Sequence, residues 1–358
     1  MQFNDVLTIK NGRNQRAVEN PNGKYPIYGS GGVMGYADDY ICNANTVVIG
    51  RKGSINNPIF VDRPFWNVDT AFGLEANTDL LMPRYLYYFC KHFNFEKLNK
   101  TVTIPSLTKA DLLKIEIDLP DLSTQQLVVS RLAKIERLIL LRKQELQKLD
   151  ELVKARFIEL FGEETEFDKW HCCTIGDVAD VCVGVVIKPT QYYTDKGIPA
   201  FRSLNIGEMR VKDADWVYFT EEGHHKNQKS VIRKNDVLVV RSGAPGTACV
   251  ATEKYDGYNA VDIIIAHPDN RKVDSVFLAA FTNMPHGMNQ IRSKTGGAAQ
   301  QHFNVGGYKA MRLIMPPMEL QKQFAAFVEQ TDKSKVVVQK ALDEAQILFD
   351  SLMQQYFG

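Results

Sequence analysis

An internal repeat with a long period constrains this chain more than any other feature. Two pairs of segments carry the repeat in the first part of each copy, residues 5–12 with 177–184 and residues 45–53 with 235–243. The second pair, NTVVIGRKG and NDVLVVRSG, is typical of a turn, a buried strand and then Arg-x-Gly in a loop. We therefore expect two globular domains built on the same plan.

The last part of each copy repeats without a gap. Pro120 and Phe161-Gly162 match Pro316 and Phe357-Gly358 at an offset of 196 residues (120 to 316), whereas the earlier segments are offset by 172 (5 to 177) and 190 (45 to 235). Insertions therefore belong to the globular part of the second copy. The predicted division is a globular domain at 1–120, a long helix at 121–162, a second domain at 163–316 and a second helix at 317–358.

The two tails have the pattern of long amphipathic helices. Pro120 and Pro316 stop any helix that crosses them, Ser123 can cap the first helix, and Gly162 can end it in a left-handed conformation. Heptad-spaced residues form a seam, which comprises Leu132, Ile139, Leu146, Val153 and Leu160 in the first helix and Val328, Val338, Leu342, Phe349 and Leu352 in the second.

Each predicted helix has roughly 38 residues and is about 57 Å long, so its apolar seam needs a partner of similar length. The nearest match is the other helix. We expect an antiparallel coiled-coil pair, which places the two globular domains in a pseudo-twofold arrangement and gives a mixed, α+β fold class. A parallel pair, or a helix that folds back on its own domain, is the alternative.

Within the globular parts, strands are expected near residues 24–28, 45–50, 58–61 and 113–119, and helices at 81–98 and 274–292. Polar loops follow these elements. Their hydroxyl, amide and cationic side chains are of the kinds that contact phosphates and base edges of DNA, although ordinary solvated loops contain them too. The candidate DNA-binding residues are Arg51, Lys52, Lys100, Thr103 and Ser106 in the first copy and Arg241, Ser242, Lys294, Gln300 and Gln301 in the second.

Charge is segregated along the chain although the net charge is only +1. Residues 40–61, 223–235 and 275–318 carry Lys and Arg and no acidic residue, which suits an anionic partner. The six cysteines and seven histidines complete no zinc spacing, and no phosphate loop, S-adenosylmethionine motif or catalytic triad is present. We therefore expect no metal site and no catalytic residue. No membrane span or signal peptide is evident, so a soluble, cytoplasmic protein is expected.

The chain resembles one protein family over nearly its whole length, and the junctions between the globular domains and the long helices are the most specific part of the resemblance. The segments IPSLTKADL at 104–112 and LPDLSTQQ at 119–126, with MPPMELQ at 315–321 as their second copy, are similar to the specificity (S) subunits of type I restriction-modification systems. The resemblance implies that each globular domain is a target-recognition domain for one half of a bipartite site in double-stranded DNA, and that the helices are spacers that fix the gap. One departure is that the first copy begins almost at Met1, with a shorter lead-in than residues 167–176 give the second.

The same resemblance implies the partners. Two methyltransferase (M) subunits would dock on the helices and the domain flanks, and restriction (R) subunits would join them. S-adenosylmethionine, ATP and Mg²⁺ would bind those partners, so no cofactor is expected here. The alternatives are a degenerate DNA methyltransferase or nuclease that acts alone, and an adaptor that binds only proteins.

Overall fold

The structure, a computed structural model, describes residues 1–99, 104–295 and 302–358. It divides into two compact units, unit 1 with Met1–Gln144 and Gln339–Gly358, and unit 2 with Glu145–Val338. Each long helix therefore contributes one part to each unit. The fold is mixed α+β, as predicted, and the four-part division of the sequence stays a prediction.

Unit 1 is built around an antiparallel sheet of strand order β1-β7-β4-β5, beside a smaller sheet of order β3-β2-β6. The strand Thr46–Gly50 is central and wholly buried, which agrees with its unbroken apolar run. The elements in chain order are α1 (Phe3–Val6), β1 (Leu7–Asn11), β2 (Tyr25–Gly29), β3 (Gly32–Ala37), β4 (Thr46–Gly50), β5 (Ile59–Val61), β6 (Trp66–Asn67), β7 (Ala71–Ala76), α2 (Pro83–His92), a 3-10 helix (Phe95–Leu98), α3 (Lys109–Leu112) and the first part of α4 (Leu122–Phe161).

Unit 2 has a corresponding antiparallel sheet of order β16-β15-β18-β9, in which β15 is buried throughout. Further strands form the orders β10-β14-β11-β17, β12-β13 and β19-β8. The elements after α4 are β8 (Cys172–Thr174), β9 (Ala179–Val183), β10 (Tyr193–Thr194), β11 (Ile198–Phe201), β12 (Ile206–Gly207), β13 (Arg210–Val211), β14 (Val217–Phe219), α5 (Glu221–Lys226), β15 (Val237–Val240), β16 (Ala248–Val250), β17 (Asn259–Ala260), β18 (Ile263–Pro268), α6 (Ser275–Asn283), α7 (Pro285–Thr295), α8 (Val305–Lys309), β19 (Arg312–Ile314) and α9 (Met318–Phe357).

Short 3-10 helices connect several of these elements. They span Glu164–Lys169, Ile175–Asp177, Pro189–Tyr192, Ser203–Asn205, Gln228–Ser230 and Glu253–Tyr255. In the described part of the chain, no helix is both long and apolar enough to cross a membrane.

The predicted strands at 24–28, 45–50 and 58–61 are confirmed as β2, β4 and β5, whereas the strand at 113–119 is wrong. That segment makes a single bridge from Gln2 to Glu116 and a bond from Ile117 N to Met1 O of 2.8 Å. The other copy does form a short ladder there, β19 with β8. An apolar alternation alone does not make a strand, because the segment also needs a neighbour along its length.

The two shorter predicted helices also differ from the structure. The helix expected at 81–98 ends at His92 and is followed by a separate 3-10 turn. The helix expected at 274–292 is two helices that break at Pro285, because proline has no amide hydrogen and disfavours a helical residue before it.

The two long helices, α4 and α9, each have 40 residues, which corresponds to about 60 Å. In unit 1, Arg131 Nη1 donates to the hydroxyl of Tyr356 at 2.9 Å, so the start of α4 lies against the end of α9. In unit 2, Lys335 Nζ lies 2.8 Å from Asp150 Oδ1, and the rings of Phe157 and Phe324 are 5.5 Å apart. The pairing within each unit is therefore antiparallel, as predicted.

The predicted seam residues are buried or half-buried. Those that are buried are Leu132, Ile139, Val153, Val328, Val338, Leu342 and Phe349, and those that are half-buried are Leu146, Leu160 and Leu352. The end of α4 enters the core of unit 2, where the Phe161 and Phe277 rings are 4.8 Å apart. It therefore does not fold back on the domain that precedes it.

The ends of α4 follow the sequence signals with one exception. Asp121, and not Ser123, caps the start, because Asp121 Oδ1 accepts hydrogen bonds from Thr124 N at 2.7 Å and from Ser123 Oγ at 2.6 Å. Gly162 ends the helix with φ of +87°, and its amide donates to Ile158 O at 2.8 Å, as expected of a left-handed cap.

A buried glutamine joins the globular part of each unit to a long helix. Gln125 Oε1 accepts from Met82 N at 2.8 Å, and its Nε2 donates to Leu80 O at 2.9 Å and Pro120 O at 2.8 Å. Gln321, its counterpart in the repeat, accepts from Asp274 N at 2.9 Å and donates to Pro316 O at 2.9 Å. Each amide thus ties the start of α2 or α6 to the start of α4 or α9.

Replacing Gln125 by alanine is expected to lower the free energy of unfolding by about 1–3 kcal/mol, because three main-chain groups would lose their partner. Urea unfolding, followed by the fluorescence of the tryptophans, measures the change. Gln126→Ala is the matched control, since the Gln126 side chain is exposed and, among the described residues, bonds only to Ser130 Oγ. Equal stability of the two variants would contradict a role for the buried amide.

Candidate nucleic-acid interface

The backbone repeats at the residues that define the two Arg-x-Gly loops. Asn45 and Asn235 both have positive φ, 62° and 70°, just before the buried strands β4 and β15. After these strands, Gly53 and Gly243 also have positive φ, 80° and 88°. Glycine is favoured at such positions because it carries no Cβ, so the loop shape explains the repeated Arg-x-Gly sequence.

The first loop is held against the segment that precedes α3. Leu107 N donates to Arg51 O at 2.9 Å, and Gly53 N donates to Pro105 O at 3.1 Å. Lys52 and Ser106 form an antiparallel bridge. The structure therefore brings together Arg51, Lys52 and Ser106, which were selected from two separate loops of the sequence.

The second loop is held in the same way. Phe303 N donates to Arg241 O at 3.0 Å, and Ser242 forms an antiparallel bridge with His302. The Ser242 hydroxyl lies 2.7 Å from His302 Nδ1. The sequence analysis missed His302, although the offset of 196 residues pairs it with Ser106 and identifies its place in the repeat.

Four candidate residues lie outside the described residues, namely Lys100, Thr103, Gln300 and Gln301. Lys294 lies at the end of α7, where its Nζ donates to Gly307 O at 2.9 Å while the side chain stays exposed.

The two arginines of the loops differ in their surroundings. Arg51 is exposed, with its guanidinium 5.8 Å from the Phe72 ring and only a long, 3.5 Å contact from Nη1 to Asp69 O, and within the described ranges it has no carboxylate partner within 4.0 Å. Arg241 instead pairs with Asp262 Oδ1 at 2.6 Å and donates to Phe303 O at 3.2 Å, so its side chain is only 22% exposed. Arg51 is available to a ligand, whereas Arg241 first of all holds its loop.

Several cations of the acid-free runs are neutralised by acids from outside those runs. Lys226 pairs with Glu222, and Lys234 pairs with Glu253. Arg312 lies 3.1 Å from Asp168. The charge pattern of the sequence therefore overstates the positive charge of the folded surface. Exposed cations beside the loops, such as Arg51 and Lys52, then make up a larger share of the positive charge that a ligand can reach.

A buried ion pair stabilises the sheet that carries the second loop. Asp236, at the start of β15, lies 2.6 Å from His267 Nδ1 on β18, and Asp236 is almost fully buried. The hydrogen bond with Asp236, with a smaller contribution from Cys182, raises the pKa of His267 from 6.5 to about 9. His267 is thus a cation at neutral pH. Among the described residues, no group of three or more His, Cys, Asp or Glu side chains is arranged to hold a metal ion.

Together, the duplicated fold and its two matched loops define a protein of two similar units, each of which contains part of both long helices. The sequence profile described as the type I restriction modification DNA specificity domain matches residues 1–151 and 168–345, and the chain belongs to this family. It is thus a DNA-specificity protein, as the resemblance of its motifs implied.

Individual relatives agree with this assignment. The chain is 24% identical to a putative type I restriction enzyme specificity subunit of Haemophilus influenzae, over 86% of this chain and 80% of that protein. It is 21% identical to the type I restriction enzyme EcoBI specificity subunit of Escherichia coli, over 87% and 72% of the two chains. The fold is similar to the crystal structure of a type I restriction-modification S subunit from M. genitalium, with a TM-score of 0.64, 17% identity and coverage of 100% and 95%.

The His267 pair predicts a pH dependence of stability. Because the folded pKa is raised above the unfolded value of 6.5, the stabilisation is complete below about pH 6.5 and is lost as the pH rises through about 9. Urea unfolding at pH 6.5 and 9.5 should therefore show a lower free energy of unfolding at the higher pH. The variant His267→Gln can hydrogen-bond but does not titrate, so its loss of stability over this range should be smaller. An identical loss in both proteins would refute the assignment.

Proposed function

We propose that this chain is the DNA-reading subunit of a type I restriction-modification complex, in which units 1 and 2 each read one half of a bipartite target. The observation that carries the proposal is the duplicated loop, in which an Arg-x-Gly turn is bonded to the polar segment before a short helix in both units. A protein with two copies of one binding surface suits a split DNA site.

In unit 1, Arg51 and Lys52 are the residues that we propose for phosphate or guanine contacts, with Ser106 beside them. Their side chains are exposed or half-buried and emerge from backbone that is fixed by main-chain hydrogen bonds. In unit 2, we propose Ser242 and Lys294 for the contacts with DNA. Arg241 positions the loop through its ion pair with Asp262. Lys100, Thr103, Gln300 and Gln301 remain candidates from the sequence alone.

Protein partners would contribute much of the phosphate binding, because the chain has a net charge of only +1 and many of its cations are paired internally. We propose two methyltransferase subunits on the long helices, with restriction subunits added to them. Exposed aliphatic side chains on these helices support such docking. They are Leu127, Leu138, Leu140, Leu141, Ile347 and Leu348 in unit 1 and Leu152, Val336 and Val337 in unit 2, between 45 and 70% exposed.

The proposed chemistry belongs to those partners. In this division of labour the present chain selects the DNA sequence, while S-adenosylmethionine, ATP and Mg²⁺ bind to the methyltransferase and restriction subunits. The chain then needs no catalytic residue of its own, in agreement with its membership of a DNA-specificity family.

The long helices would set the gap between the two half-sites. Each runs without a break for 40 residues and has one part in each unit, so its length is a fixed dimension. Four additional residues lengthen an α-helix by about 6 Å, which is close to two base pairs of DNA.

Methylation mapping tests this proposal. The chain is co-expressed with a methyltransferase subunit from the same host, and methylated adenines are mapped across the genome. We expect a split motif with a fixed gap, and a gap about two base pairs wider when four residues are inserted after Glu145 and four after Val338 to keep the helices equal. A contiguous motif, or an unchanged gap in a variant that still methylates, would contradict the spacer role. Absence of methylation, with no DNA binding by the complex, would contradict the recognition role.

Lys52→Ala is expected to weaken DNA binding of that complex several-fold and to lower the slope of log K against log salt concentration by about one, because one phosphate contact is lost. Binding titrations at several salt concentrations measure both effects. Lys114→Ala is the control, because Lys114 is exposed near Asn4, at the opposite end of the β1–β7 pairing from the Arg51 loop. Equal salt slopes for the two variants would remove Lys52 from the interface.

A further inference from the structure

An exposed aliphatic pair lies beside the cationic loop of unit 1. The hairpin formed by β2 and β3 turns at Ser30-Gly31, and the next side chains, Val33 and Met34, are 54% and 63% exposed. A Cβ built on Gly50 would lie 3.1 Å from the Cβ of Ser30, so the hairpin tip is adjacent to the residue that precedes Arg51. The Met34 sulfur lies over Gly29, where any side chain would collide with it.

Unit 2 places another aliphatic pair beside its own loop, although by a different route. Val186 and Ile187, which follow β9, are 45% and 80% exposed. Val185 O accepts a hydrogen bond from Asp262 N at 3.2 Å, and the Asp262 carboxylate pairs with Arg241. The exposed pair therefore directly follows Val185, which contacts Asp262, and Asp262 is the residue that pairs with Arg241.

Two neighbouring aliphatic side chains at a hairpin tip cost free energy in water unless they have an apolar partner. Cations beside both pairs favour a polyanion over an apolar protein surface, with Arg51 and Lys52 in unit 1 and Lys188 in unit 2. DNA offers both chemistries, because phosphates lie next to the apolar faces of stacked bases. Proteins that bend DNA insert Leu, Ile, Met or Phe between two base pairs in this way.

We propose that Met34 and Ile187 are wedges that enter one base step in each half-site and unstack it, while the adjacent loops bind the backbone. Val33 and Val186 support them from the same strand or turn. This inference rests on the proposed recognition of DNA by both units. It assigns the unstacking to two named side chains, one for each half of the target.

The test uses the complex of the full chain with its methyltransferase and a duplex that carries the mapped target. 2-Aminopurine replaces one base at a time across both half-sites, because its fluorescence rises when it is unstacked. We expect a several-fold rise at one step in each half. Met34→Ala should abolish the rise in one half only and Ile187→Ala in the other half only, so each variant contains its own internal control.

Two further variants separate the wedge from a general loss of apolar surface. Met34→Leu should retain the signal, because leucine can fill the same step. Leu80→Ala should also retain it, since Leu80 is 39% exposed and follows the end of β7 that is remote from Arg51. A complex that binds the target without unstacking any step would overturn the inference and leave the recognition role intact. Unstacking that persists in both alanine variants would also overturn it, whereas a complex that does not bind the target would overturn both proposals.

Discussion

The buried amides of Gln125 and Gln321 are the constraint on which the geometry of each unit depends. Each side-chain amide accepts a hydrogen bond from the backbone N–H of the residue just before α2 or α6, and donates one to the carbonyl of the proline that precedes a long helix. A buried side-chain amide without these partners would lower the stability of the folded state. The angle between the globular part of each unit and its long helix is therefore fixed by hydrogen-bond geometry as well as by packing. One accepted bond and one donated bond are the same in both copies, at residues 125 and 321, which are offset by 196 like the rest of the two long helices.

The surface charge of the folded chain differs from the charge pattern of its sequence. Acids from outside the acid-free runs neutralise Lys226, Lys234 and Arg312, and Asp262 pairs with Arg241. The cations that stay exposed beside the loops, Arg51 and Lys52 above all, then gain importance because they are few. A weakly charged reader discriminates better when most of the non-specific phosphate binding is supplied by other subunits, since non-specific affinity grows with every phosphate that it neutralises.

Much of the fold could be predicted because several signals are local. The buried strands β4 and β15, the turns before them and the uninterrupted helix from Leu122 to Phe161 follow from residue type and spacing alone. The errors concern residues whose structure depends on a distant neighbour. Within the described residues, the segment 113–119 has a single bridge and no strand partner along its length, so the predicted strand was wrong. The ion pair of Arg241 with an aspartate 21 residues away was likewise not evident from the sequence, and the prediction that Arg241 binds DNA stays a prediction. The single helix predicted at 274–292 is a different kind of error. Pro285 is visible in the sequence and favours a helix break, but the prediction followed the apolar pattern on either side of it.

The two copies differ between the first strand and the buried central strand of each unit, and agree in the central strand and the loop that follows it. The offset grows between Gly184 and Asn235, and in the structure this stretch contains β10 to β14 and α5, where unit 1 has only β2 and β3 between the corresponding points. One added hairpin, β12 with β13, is joined to α4 by the ion pair of Lys154 and Glu208 at 2.7 Å. The hydrogen bonds that Arg51 O and Arg241 O accept are nevertheless equivalent, at 2.9 and 3.0 Å. Because the Arg-x-Gly loops are held by backbone bonds from Leu107 and Phe303, in segments that both copies share, insertions can change the surroundings of one loop while its backbone position is retained.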